Sequence, residues 1–282
     1  MSAEKPVVLV TGSTDGIGLH TAKRLAAAGF RVIIHGRTVG RTDTAVAEVR
    51  RTVPTADVGY HTADLSTILG AHRLAEAVGG SETRLDCLIN NAGVFQTDVE
   101  VIGKYDLTFA VNVAAPFVLS LRLLPLLRAS ARGCILNVSS ISQNDFGRID
   151  LGQLGRWTRT WDAYEVYSHS KAALAAFSYE LALRLPGGSG GPVVLSCDPG
   201  TVNTKMLLAG WGPCGVDVAD ADDEFTLVKA AMSTGCERYH GKYYVRCRES
   251  RCCKDVYDDG VRSGLWSFLE EACALRWEDS AS

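Results

Sequence analysis

Along the chain, short runs of β-branched and aliphatic residues alternate with longer stretches whose apolar positions recur every three or four residues. "PVVLVTG" (6–12) predicts a strand, and "IGLHTAKRLAAA" (17–28) a helix closed by Gly29. "RVIIHG" (31–36) predicts a second strand, 41–52 a helix, and "DVGYHTADL" a third strand. A helix over 67–78 precedes the fourth strand in "LDCLINNAG". A long helical stretch is expected from about 103 to 130, with Pro116 and Pro125 marking bends or ends. "GCILNVSS" (133–140) reads as the fifth strand, 163–185 as a strong helix, "PVVLSCDPG" (192–200) as the sixth strand and "GKYYV" (241–245) as a seventh. Strands that alternate with helices of this length form βαβ units. The expected fold class is therefore α/β, a doubly wound sheet of about seven parallel strands with helices on both faces. The Gly-rich "PGGSGGP" is long enough for a turn and too short for a domain linker, so residues 1–282 read as a single domain. Two segments break the alternation, 141–162 and 203–223. Both would lie at the carboxyl ends of strands, where open parallel sheets bind ligands.

Composition narrows the function classes. The chain is 46% hydrophobic and 22% charged, with a net charge of −3 and a pI near 6.1. That balance gives no footprint for nucleic acid or an anionic membrane surface. No run approaches the ~20 apolar residues of a membrane span, and "MSAEKPVVLVTG" leaves no room for a secretory core. A soluble cytoplasmic protein is the expectation, with its nine cysteines as reduced thiols. Cys236, His240, Cys247, Cys252 and Cys253 do not fall in paired C-x2-C units, and no metal site is expected from them.

"TGSTDGIG" sits between the first strand and first helix, with glycines at 12, 16 and 18. Such a loop lets backbone amides close on a diphosphate, which the helix N-terminus favours electrostatically, so a dinucleotide is the expected cofactor. At the end of the second strand, an acidic residue would hydrogen-bond the ribose 2′-hydroxyl of NAD. Here Gly36 stands at that position and Arg37 follows, which favours the 2′-phosphate of NADP(H) over NAD(H).

The helix "WDAYEVYSHSKAALAAFSYELALRL" (161–185) holds two tyrosines ahead of one lysine. Tyr167 is one turn from Lys171 and Tyr164 is about two turns away, so spacing favours Tyr167 as a proton donor whose pKa the ammonium would lower. His169 faces elsewhere and reads as packing. "TGSTDGIG", "ADL" (63–65), "NNAG" (90–93), Asn112 in "VNV", "NVSS" (137–140), "YSHSK" and "DPGTV" (198–202) follow one another in order. Together they resemble the short-chain dehydrogenase/reductase family over nearly the whole chain, and most closely its retinol dehydrogenase-type branch.

The resemblance implies a single Rossmann-type domain and an NADP(H)-dependent enzyme acting on carbonyls or alcohols. Tyr167 would be the acid in carbonyl reduction and the base in alcohol oxidation, Lys171 its partner and a ligand of the nicotinamide ribose, and Ser140 the donor to the substrate oxygen, with Ser139 as runner-up. Asn112 would hold a water in a proton relay behind Lys171, or else serve a helix bend. Gly12, Ser13, Thr14, Asp15, Gly16, Ile17 and Gly18 would cradle the diphosphate, with Arg37 at the ribose. Asp64 and Leu65 would flank the adenine, and Asn91, Ala92 and Gly93 would line the floor. Pro199, Gly200, Val202 and Thr204 would lie near the nicotinamide. Ser140 and Tyr167 are 27 positions apart, so the 141–162 segment is an insert, with Arg148, Asp150, Arg156, Trp157, Arg159 and Trp161, that would cap the pocket, obstruct a subunit surface or lie as a solvated loop. Met206, Leu207, Leu208 and Trp211 would supply an apolar wall for a lipophilic carbonyl, or else close the core. Many members of the branch carry an N-terminal membrane anchor, and its absence from this chain's start favours a soluble carbonyl over a membrane-dissolved retinoid. Members often form homo-oligomers through helices equivalent to 103–130 and 163–185. Two other classes compete: a catalytically weak NADP(H)-binding regulatory protein, and a thiol-based redox or metal-linked module built on Cys236 to Cys253.

Overall fold

The computed structural model describes residues 4–98, 100–145, 148–156, 161–187 and 190–281. Trp157 and Arg159 lie outside the described residues. The chain runs β1 (Val7–Val10), α1 (Gly16–Ala27), β2 (Arg31–Gly36), α2 (Val39–Thr52), β3 (Asp57–Thr62), α3 (Ile68–Ser81) and β4 (Cys87–Asn90). It continues through α4 (Ala115–Arg122), β5 (Cys134–Val138), α5 (Ala163–Arg184), β6 (Val193–Asp198), α6 (Lys205–Trp211) and α7 (Asp223–Ala231), and ends in β7 (Lys242–Val245), β8 (Arg248–Ser250) and α8 (Asp259–Cys273). The sheet order is β8-β7-β6-β5-β4-β1-β2-β3. Seven strands are parallel, as their alternation with helices predicts. The eighth, β8, returns antiparallel along β7. Its two-residue turn places Arg246 and Cys247 at φ 49° and 58°, which a tight hairpin demands at both central positions. Neither residue is a glycine, so the sequence hides the turn.

Each central strand is apolar on both faces because both faces are covered. In β1, Val7 and Leu9 join a core with α3, α4, α5 and α8, while Val8 and Val10 join a second core with α1, α2 and α7. The helix expected over 103–130 is shorter and broken. Residues 103–106 belong to a hairpin of Val101–Ile102 with Tyr105–Asp106, turning at Gly103 (φ 71°). Helix begins at Leu107, widens into a π-helical turn over Ala110–Ala114 and continues as α4, with Pro116 in its first turn. Pro125 opens a separate short helix, Leu124–Arg128.

Helix α8 lies against α5. Trp266 is packed edge-on to Phe117 of α4 and tilted against Phe177 of α5, and Arg262 donates to Glu180 of α5 at 3.0 Å. Residues 148–156 of the insert also fold back onto this side. Ile149 N–H donates to Asp255 (2.7 Å), Asp150 N–H donates to His169 Nε2 (2.9 Å), and Gly155 packs on Tyr105 and Phe109. This middle part of the insert is therefore no lid. With α8 it covers part of the helices through which relatives often pair, and α4 is buried from Ala115 to Leu121. His169 packs edge-on to Trp161, and burial pulls its pKa down to about 4, so the ring is a neutral structural acceptor.

Helix α7 docks on α1 through carboxylates. Asp222 takes His20 (2.7 Å) and Arg24 (2.9 Å), and Glu224, fully buried, accepts from Thr21 at 3.2 Å. Burial first, with neighbouring Asp223 adding, raises the Glu224 pKa from 4.5 to about 8. The folded protein then binds more protons than the unfolded chain between those values, so stability present below about pH 4.5 is lost as pH rises through 8. Glu224→Gln is expected to raise Tm by ~3 °C at pH 8 and to flatten this decline in thermal melts across pH 5–8. An unchanged slope would place the charge elsewhere.

Candidate active site

At the carboxyl ends of the parallel strands lies a cleft of about 700 Å³. The β1–α1 loop forms one side. A Cβ on Gly12 (φ 66°) would stand 2.9 Å from the Ala92 Cα, and one on Gly18 would stand 2.3 Å from the Asn91 Nδ2. The loop and the "NNAG" segment therefore touch backbone to backbone. Asn91 clamps the loop by donating to Thr11 O (2.7 Å), and Asp15 caps α1 through the Gly16 N–H (2.9 Å). The first turn of α1 thus opens onto the cleft, the geometry in which helix N–H groups hold a diphosphate.

Most of the sequence-predicted binding residues line the cleft: Gly12, Thr14 to Gly18, Arg37, Asp64, Leu65, Asn91 to Gly93, Pro199, Gly200, Val202 and Thr204. Ser13 does not. Its hydroxyl donates to Val10 O (2.7 Å) and accepts from His35 N (3.0 Å), splicing β1 to β2. At the end of β2, a Cβ on Gly36 would meet Thr14 at 2.4 Å and Thr42 at 2.5 Å, so no acidic side chain fits there without displacement. Exposed Arg37 and Arg41 stand on the rim instead. His35, unmarked by any motif, accepts from Gly12 N (3.1 Å) through Nδ1 and donates to Ala63 O (3.1 Å) through Nε2. Burial lowers its pKa to about 4, so it braces the loop as a neutral ring.

Ser140, Tyr167 and Lys171 converge on the opposite wall. Ser140 lines the cleft beside Tyr167, where its hydroxyl favours the phenolate, whereas Ser139 turns inward and donates to Lys171 O (2.9 Å). The choice between the two serines is thereby made by strand alternation at the end of β5. Lys171 Nζ is buried, donates to Val138 O (2.9 Å) and lies 5.6 Å from the Tyr167 ring centre. Tyr164 lies at the mouth, bonded to Asp145, and its pKa is raised to about 12 by burial and that carboxylate. One expectation is reversed. Burial pushes the Tyr167 phenol up, Asp198 and Tyr164 add to the rise, and only the neighbouring Ser140 hydroxyl opposes it. Lys171 is itself pulled from 10.5 to about 8 by burial. Tyr167 is held in its acid form.

Asn112 lies behind the wall in the π-helical turn. Its Oδ1 accepts from Val94 N (2.9 Å), and its Nδ2 donates to Val94 O (3.0 Å) and Ser170 Oγ (3.0 Å). A Cβ on Gly93 would lie 3.4 Å from Lys171 Nζ and 3.5 Å from Asn112 Oδ1, so the two side chains flank the same backbone. A π-turn re-aims one side chain where an α-turn would not, and here it pins the "NNAG" segment to α5.

The segment after β6 covers the cleft through α6. Lys205 pairs with Asp15 of the glycine loop, and Thr204 packs on Gly16. At the far end, Trp211 packs at a tilt on Phe95 (4.5 Å between ring centres) and leans over Tyr164 (5.9 Å) and Tyr167 (6.4 Å). Met206, Leu207 and Trp211 line the cleft as expected, while Leu208 faces solvent at 46% exposure. The sequence gives no hint of Phe95, which reaches the site only through the loop after β4.

The cysteines lie apart from this chemistry. All nine are free, and among the described residues no group of three His, Cys, Asp or Glu is placed to hold a metal. Both ring nitrogens of His240 are taken by backbone: Nδ1 by Val194 N and Nε2 by Ala182 O. Among the described residues no helix is long and apolar enough to cross a membrane.

A glycine loop feeding a helix N-terminus, facing a Ser-Tyr-Lys wall across one cleft, is the arrangement of a nicotinamide-dependent oxidoreductase. Comparison with known proteins agrees. The short chain dehydrogenase family model matches residues 6–151. Human retinol dehydrogenase 12 is 31% identical over 96% of this chain and 87% of its own. An uncharacterized protein from Mycobacterium paratuberculosis superposes with a TM-score of 0.77 at 24% identity, over 98% of this chain and 95% of that one. The Pseudomonas aeruginosa RhlG/NADP complex does so with a TM-score of 0.64 at 27% identity, over 86% and 95%. The chain belongs to the short-chain dehydrogenase/reductase family and is similar to its retinol dehydrogenases.

Proposed function

We propose that this protein is an NADP(H)-dependent oxidoreductase that interconverts a lipophilic carbonyl and its alcohol in the cytoplasm. The observation that carries the reading is the meeting of Ser140, Tyr167 and Lys171 on one wall of the cleft that the glycine loop opens into. The nicotinamide, when bound, supplies or accepts the hydride. Ser140 and Tyr167 donate hydrogen bonds to the substrate oxygen as it gains charge, and the Tyr167 proton passes to it in reduction. Lys171, buried and turned toward the cleft, offers its ammonium to the cofactor ribose. Phe95, Trp211, Met206 and Leu207 support an apolar or aromatic substrate. The free thiols are consistent with a reducing compartment. The test is a panel of aliphatic, aromatic and polyene aldehydes and alcohols with NADPH, NADP+, NADH and NAD+. Turnover of lipophilic members with the phosphorylated cofactor is expected, and none anywhere would favour a regulatory binder.

Cofactor choice rests on Arg37 and Arg41 beside a Gly36 where a side chain would collide with Thr14 and Thr42. Arg37→Ala is expected to weaken NADPH binding about tenfold and leave NADH binding within twofold, because only the former carries the 2′-phosphate. Parallel fluorescence titrations read this out. Equal losses for the two cofactors would remove Arg37 from phosphate recognition.

A further inference from the structure

The catalytic end of the cleft contains a carboxylate that the hydride chemistry described so far does not use. Asp198 ends β6, is 6% exposed and lines the cleft. Its Oδ2 accepts from Ile141 N and its Oδ1 from Gly200 N, each at 2.6 Å. The side chain therefore bridges the residue after Ser140 to the turn after Pro199. The other carboxylates lining the cleft lie elsewhere. Asp15 and Asp64 belong to the ends of β1 and β3, and Glu100 takes Gln96 at the outer wall. Tyr167 and Lys171 on α5, Tyr243 on β7 and Asp223 on α7 feel the Asp198 charge, and the Arg246 N–H of the β7–β8 turn donates to the Asp198 carbonyl (3.4 Å).

The geometry points to Asp198 as an electrostatic positioning residue that favours the oxidised, cationic nicotinamide over the reduced, neutral one. The inference rests on the nicotinamide chemistry of the family and not on the choice between NADP(H) and NAD(H). A nicotinamide serving a substrate oxygen held by Ser140 and Tyr167 would find Asp198 in the wall between them, because Asp198 joins the residue after Ser140 to Gly200. A nicotinamide bound there would become cationic on giving up hydride, and the tied Asp198 carboxylate would stabilise that charge without reorganising. It also offsets the repulsion between the ring and the Lys171 ammonium. Stabilising the oxidised form makes the bound reduced cofactor a stronger hydride donor than the free one, which biases the site toward carbonyl reduction. The same carboxylate helps to hold the proton on Tyr167, the form that reduction consumes.

The experiment is equilibrium titration of the intact protein with NADP+ and NADPH, and with NAD+ and NADH, read by tryptophan fluorescence and calorimetry. The wild type is expected to bind the oxidised form at least as tightly as the reduced form. Asp198→Asn is expected to raise the ratio Kd(oxidised)/Kd(reduced) about tenfold. A variant in which both constants weaken together, ratio unchanged, would reduce Asp198 to a loop tie and overturn the proposal. Should Asp198→Asn fail to fold, the wild-type ratio decides alone, and tenfold tighter binding of the reduced form overturns it. Binding of neither form by the wild type would instead sink the nicotinamide assignment itself.

Discussion

Tyr167→Phe is expected to lower kcat for carbonyl reduction by about 10²–10⁴-fold while leaving NADPH affinity within twofold. The substitution removes one hydroxyl and keeps the ring that packs edge-on to Phe95 at 5.6 Å and lies 6.4 Å from Trp211. Packing and the cleft survive, so the loss is one of proton delivery. Tyr164→Phe is the control. Its hydroxyl bonds Asp145 at the mouth, not Ser140, and its loss is expected to change kcat by less than threefold. Stopped-flow or steady-state rates beside cofactor titration separate the two quantities. Full activity in the Tyr167 variant, or a greater loss in the Tyr164 variant, would reassign the acid.

The choice between these tyrosines shows how far the chain discloses its own site. Spacing ranks Tyr167 above Tyr164, and the structure agrees: Tyr167 stands with Ser140 and Lys171, whereas the Tyr164 hydroxyl is taken by Asp145. The parallel strands and the glycine loop are equally legible, because a strand buried on both faces is a local apolar run and a tight loop needs local glycines. What is not legible depends on distant partners. The i,i+4 spacing predicts that Lys171 lowers the Tyr167 pKa, yet burial dominates, with Phe95 of the loop after β4 and Trp211 of α6 packed on the ring. Ser13 sits inside the glycine motif but is held away from the cleft by its hydrogen bonds to Val10 O and His35 N. The helix expected over 103–130 begins only at Leu107, after a hairpin, and carries a π-turn in which Asn112 reaches Val94 and Ser170 at once. Helix α8 carries helical spacing at Leu265, Trp266, Leu269 and Cys273. That spacing says nothing of which face of the fold it covers.

That face makes Trp266→Ala the substitution with the largest expected cost to stability. Trp266 is 3% exposed and meets Phe117, Phe177 and Trp277 with ring centres 5.5–6.1 Å apart, and the Arg184 guanidinium lies 4.0 Å from its ring centre. Truncating a tryptophan so enclosed removes its buried area and leaves a cavity between three helices, at a cost of about 3–5 kcal/mol. For a domain of this size, that corresponds to a fall in Tm on the order of 10 °C. Because α8 covers helices through which other members of the family associate, the same change is expected to expose Phe117 and Phe177 and to increase self-association in light scattering. Arg262→Lys keeps the charge beside Glu180 but loses the planar fork, and serves as the milder companion. A Tm within 3 °C of wild type for Trp266→Ala would mean that α8 unfolds separately from the sheet and that the two cores do not melt as one.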